Sequence, residues 1–178
     1  MNWYLDLVTR FPFQSAFVQF AILGTAGELL SHVLRSKRLS LPCSALQLAG
    51  RIFAWGVLGL VIKVGFMGMR GFVSALMEHD LIPLALSNSI GMAFVLSVMT
   101  NLFFGPQMMF FHRLEENLLV RRWNMAGLQK AWMTLLWFWI PAHTVTFSLP
   151  KDYQIGLAAL WSVVLGLIMG MTAPKPTA

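Results

Sequence analysis

The sequence predicts an all-α integral membrane helical bundle of four to five transmembrane helices, and three observations predict it. The composition is 57% hydrophobic and only 11% charged over 178 residues, with a mean hydropathy of +0.68, too apolar for an ordinary soluble domain. The apolar residues gather in five runs, and a helix needs about 20 mostly apolar residues to cross a bilayer. Charged residues concentrate between the runs. The expectation is one transmembrane helical domain over 1–172 and a disordered tail over 173–178, because Ala-Pro-Lys-Pro-Thr-Ala carries no apolar anchor.

Before the first run, Asp6 and Arg10 fit neither a secretory signal nor an Arg/Ser-rich transit peptide. The first helix is expected near 13–35, ending at the basic cluster Arg35, Lys37 and Arg38. The second, near 46–76, carries Gly65, Gly68 and Gly71 at spacing three, a close-packing face. Glu78, His79 and Asp80 separate it from the third, near 83–112, after which come Arg113, Arg121, Arg122 and Lys130. The fourth run, near 127–148, contains Pro141, His143, Thr144 and Thr146 and meets Pro150. Pro141 removes a backbone donor and Pro150 pushes its predecessor toward an extended conformation, so this helix should be kinked at Pro141 and ended at Pro150. The fifth, near 153–172, bears the small-residue stripe Ala158, Ser162, Gly166 and Gly170 at spacing four. Helix contact within the monomer is the first reading of both stripes. Gly166/Gly170 or Gly65/Gly68 are the alternative seams for a homo-oligomer.

Charge and cysteine content exclude several classes. The net charge is +6, but the basic residues sit beside apolar spans, where they orient the chain rather than bind nucleic acid. The basic loops 35–38 and 113–130 belong on the cytoplasmic-equivalent side and the acidic connection on the other. Cys43 is the single cysteine, so neither an intramolecular disulfide nor a cysteine-based metal cluster can form. Glu28, His32, His112 and His143 are metal-ligand types, but His32 and His112 fall near inner ends of their runs and His143 near an outer one, and no HExxH occurs. No nucleophile elbow or phosphate loop is present either. The expectation is therefore no enzyme, no cofactor and no metal.

Ionisable groups inside apolar runs are expensive when they face lipid, so each should face protein or water. Glu28 precedes Arg35 by seven residues, about 10 Å of helix, and Arg51 follows Pro42 by nine, about 13 Å. Both depths are counted from the same side, so Glu28 and Arg51 are the depth-matched ion pair. Lys63 and Arg70, seven apart, share another helix face. A cationic face inside a bundle favours anions, which makes small anionic solutes the expected partners beside the lipid bilayer.

Several segments, in order, resemble the peroxisomal membrane protein 22 kDa family. Phe11-Pro12-x-x-Ser15 and Gly27-Glu28-x-x-x-His32 are similar to the family's Tyr-Pro-x-x-Thr and Gly-Asp-x-x-x-Gln elements, and Thr100-Asn101-x-x-Phe104-Gly105-Pro106 to its Asp-Gln-x-x-Phe-Ala-Pro. Trp139-x-Pro141-x-His143-x-Val145-x-Phe147, then Pro150 and Tyr153, resembles its Trp-Pro-Pro-x-Gln-x-x-Asn-Phe, Val-Pro and Tyr. Trp161-Ser162-x-x-Leu165-Gly166 stands where the family has Trp-Asn-x-x-Leu-Ser. Both family glutamines are histidines here, at positions 32 and 143, and Lys63 to Phe72 replaces its Gly-Pro-x-x-His-x-Trp-Tyr. The resemblance implies a weakly selective channel for small solutes. Glu28, His32, Arg51, Lys63, Asn101 and His143 are its pore or gating candidates, and its membrane is the inner membrane of a prokaryote, the mitochondrial inner membrane or the peroxisomal membrane. The competing expectation is a non-conducting scaffold whose buried polar residues are purely structural.

Overall fold

The computed structural model describes residues 2–171, and the expected tail over 173–178 lies outside them. Every regular element among the described residues is helical: α1 (Asn2–Arg10), α2 (Pro12–Ser36), α3 (Ala45–Glu78), α4 (Ser89–Met99), α5 (Gly105–Val120), α6 (Leu128–Thr134), α7 (Ile140–Ser148) and α8 (Lys151–Met171). Short π-helical turns join α4 to α5 (Thr100–Phe104) and α6 to α7 (Leu135–Trp139). Among the described residues, three helical stretches are long and apolar enough to cross a membrane: Pro12–Ser36, Ala45–Glu78 and Ser89–Val120.

Local chemistry explains the boundaries. Pro12 opens α2 at a position whose N–H has no helical partner anyway. Lys37 closes it in a left-handed conformation, φ 53°, with its N–H on the Val33 carbonyl. A reciprocal capping box starts α3: Gln47 N–H donates to Ser44 Oγ at 3.3 Å, and Ser44 N–H to Gln47 Oε1 at 3.1 Å. Asn88 caps α4 by accepting from Gly91 N–H at 2.9 Å.

Three boundaries differ from the sequence reading. Asn2–Arg10 forms a short helix of its own, anchored to α2 by Tyr4 donating to Gln19 Oε1 at 3.1 Å. The third run starts at Ser89 rather than near 83, because Pro83 leads into a separate 3-10 turn, Leu84–Leu86. It also continues to Val120, since the pairs His112–Glu115 (3.6 Å) and Arg113–Glu116 (2.8 Å) are one helical turn apart and support the extension. At the other proline boundary, Leu149 is extended at φ −84°, ψ 159°, and α7 stops at Ser148, as a residue preceding proline requires.

The described residues form two compact units: one holds the chain through Gly59 with Ile155 onward, the other Leu60–Gln154. In the first, α2 crosses α8 with almost no space between backbones. A Cβ on Gly27 would stand 2.6 Å from the Ser162 carbonyl oxygen, and one on Gly166 would meet the Gly27 carbonyl. The stripe glycine at 166 is thus used inside the chain. Gly24 and Gly56 admit the rings of Trp55 and Phe17 in the same way. In the second unit, α4 runs along α7 and α5 along α6. Gly65 receives the Phe104 ring, whereas Gly68 and Gly71 have open space in front of them.

Candidate functional site

The second unit contains a buried polar centre built by two helices widened at the same level. In each, a π turn is followed by one residue and then a proline: Thr100–Phe104 with Pro106, and Leu135–Trp139 with Pro141. The N–H of Gly105 bonds back to Thr100 O and that of Ile140 to Leu135 O, each spanning five residues. The following proline has no N–H to continue the ladder. The two wide turns are in contact with each other, and Gly105 leaves room for Leu135 between them.

Ser97, Thr100 and Asn101 share one face of the first helix, being three and four residues apart. Ser97 Oγ donates to the Ile140 carbonyl at 2.7 Å. Asn101 Nδ2 donates to the Ser97 carbonyl at 2.8 Å and faces His143 Nδ1 at 3.1 Å. A carbonyl oxygen can only accept, so the amide nitrogen is the end in contact. His143 Nδ1 is then an acceptor, and the proton of the neutral ring lies on Nε2.

Aromatic rings enclose that histidine. Phe66 meets it edge-on at 5.3 Å between centroids, Trp139 lies tilted at 5.1 Å and Phe147 at 5.7 Å. Phe66 comes from α3, where Lys63, Phe66 and Arg70 occupy one face at spacings three and four. The Arg70 guanidinium sits 5.6 Å over the Phe147 ring and donates to Gln154 Oε1, while Gln154 Nε2 donates to the Leu149 carbonyl at 2.7 Å. Among the described residues, neither Lys63 nor Arg70 has a carboxylate at ion-pair distance. Two buried polar atoms at the wide turns have no hydrogen-bond partner, Thr100 Oγ1 and Trp139 Nε1. Their residues are 1% and 8% exposed, so water outside the protein does not reach them freely.

The remaining candidates lie elsewhere. In the first unit Arg51 pairs with Glu28, and Trp55 Nε1 donates to Glu28 Oε2 at 3.2 Å, the partnership that equal depth predicts. His32 reaches Ser40 Oγ at 3.3 Å, bracing the loop after α2. No three His, Cys, Asp or Glu side chains gather as a metal-binding group among the described residues.

Sequence reasoning named Asn101 and His143 but not as partners, and it missed Ser97, Thr100, Phe66 and Trp139. One signal was available. The stretches 100–106 and 135–141 place a proline at the same offset from the turn start, and a proline inside an apolar run marks a local departure from the α-helical ladder.

Among the described residues, helices alone and three spans long and apolar enough for a bilayer point to a helical membrane protein. Neither the family models, the curated proteins nor the solved structures compared with the chain gave a match.

Proposed function

We propose that this protein is a distant member of the peroxisomal membrane protein 22 kDa family that forms, or modulates, a weakly selective path for small solutes. The observation that carries the reading is the Asn101–His143 pair, buried at paired wide turns and flanked by polar atoms without partners. A helix meant only to cross lipid needs none of these groups, and polar residues in membrane helices are costly and mark solute pathways. In this reading α6–α7 and α8 complete four to five crossings, with a bend at Pro141, and the basic loops 35–38 and 113–130 face the cytoplasm or its equivalent. His143 is the gate, Lys63 attracts anions, and Glu28, held by Arg51, organises the inner end.

Reconstitution in planar bilayers tests it. Conductance is expected, with Lys63→Met lowering the anion preference and His143→Gln altering gating. No conductance, or conductance indifferent to both changes, ends the channel reading.

A second reading, a non-conducting scaffold, is favoured by the Glu28–Arg51–Trp55 cluster and the Gly27–Gly166 crossing. Both features are satisfied inside the chain and look structural. Measured non-conductance together with a stable binding partner would support it.

A further inference from the structure

We infer that the wide-turn centre of the second unit is a binding site for a small monovalent anion, held by Trp139 Nε1–H, Thr100 Oγ–H and His143 Nε2–H under the field of Arg70 and Lys63. The inference rests on the solute-path reading for its role, but binding is measurable without conduction.

Two buried groups in this centre have unused donor capacity. Trp139 Nε1 can only donate, Thr100 Oγ1 can do so, and both are buried without a partner. His143 turns its acceptor nitrogen to Asn101, leaving the donor nitrogen for something else. Trp139 precedes His143 by four residues and lies tilted over its ring at 5.1 Å. Thr100 shares with Ser97 and Asn101 the face that meets α7. Donors that lack acceptors in an apolar box recruit an acceptor.

Charge decides which acceptor. The α3 face that touches the box through Phe66 carries Lys63 on one side and Arg70 on the other. The acidic group acting on Lys63 is Asp152, from beyond ion-pair distance, and Arg70 spends its contacts on the neutral Gln154 amide and the Phe147 ring. Two cations without a close carboxylate give a positive potential at the centre, and a low-dielectric surrounding strengthens it. An anion satisfies donors and field together, whereas a neutral acceptor satisfies only the donors.

The purified full chain in lipid nanodiscs, titrated with chloride and followed by chlorine-35 NMR line broadening, tests the site. Saturable broadening is expected, displaced by nitrate or thiocyanate but not by urea. Trp139→Phe and Thr100→Val keep shape while removing a donor. Each should weaken chloride binding at least about ten-fold, the lower end of what a hydrogen bond to a charged group is worth, and Arg70→Gln should weaken it at least as much. Arg121→Gln, on the exposed loop after α5, should change nothing. Broadening that is absent, does not saturate, is displaced equally by urea, or survives the Trp139 and Thr100 changes in folded protein overturns the site and leaves the centre a place for buried water. Chloride binding without conductance would keep the site and sink the path, and conductance without chloride binding would do the reverse.

Discussion

Asn101 holds two helices through one amide. Its Nδ2 serves both its own helix, at Ser97 O, and the neighbouring one, at His143 Nδ1. Asn101→Leu therefore leaves His143 Nδ1 without its donor, while the Ser97 carbonyl keeps the Thr100 N–H. Hydrogen bonds between membrane helices are each worth about 0.6 kcal/mol on average and up to about 1.7, so the expected loss is about 1–2 kcal/mol. A double-mutant cycle of Asn101→Leu with His143→Phe, read by unfolding in mixed micelles, should show coupling; strict additivity would mean that the pair is not formed. Glu28 and Arg51 call for a different pattern, because each is a charge that only the other offsets. Arg51→Met should cost about 2–3 kcal/mol, the scale of a lone charge among membrane helices, and Glu28→Gln in the same chain should recover part of it. This pair was legible in the sequence because both depths are counted from one loop. Asn101–His143 was not, since the order of runs along a chain does not tell which faces meet.

At the scale of elements, two glycine classes make opposite predictions. Gly27 has the Ser162 carbonyl 2.6 Å from where a Cβ would stand, and backbone cannot step aside. Gly27→Ala should force α2 and α8 apart and cost about 1–3 kcal/mol, as overpacking does. Gly68 faces open space, so Gly68→Ala should be neutral or stabilise by about 0.5–1 kcal/mol through helix propensity. Thermal melting of the two variants side by side measures the contrast, and equal effects would refute the close crossing. Apolar run length made the long helices readable, while caps such as Ser44–Gln47 and Asn88 set their ends. The π turns were not readable, because inserting one residue into a turn changes no composition; only the prolines at 106 and 141 hint at it.

For the whole molecule, the single cysteine gives a direct measure of orientation. Cys43 is part-exposed in the loop between α2 and α3, just beyond the basic residues 35–38. If basic loops face the cytoplasm or its equivalent, a membrane-impermeant maleimide should label Cys43 in inside-out vesicles and leave it unlabelled in right-side-out ones. The reverse labelling would invert the topology. Fold class followed from composition because a bilayer admits so few solutions, whereas the division into two units depends on which faces pack and leaves no mark in run order. The paired wide turns also carry an arithmetic of chain length. Each holds one residue more than an α-helical path between the same two levels would use, and the turn takes up that residue locally, so the helix on either side keeps its facing. Deleting the exposed Leu102 or the exposed Leu136 should therefore close that turn to an α-helical one without turning α5 or α6 about its axis, whereas deleting the exposed Phe110, in the regular part of α5, should rotate the rest of that arm by about 100° and unseat its packing. Tolerance of either deletion in a turn where the Phe110 deletion fails would identify the extra residues as insertions that each helix absorbs on its own.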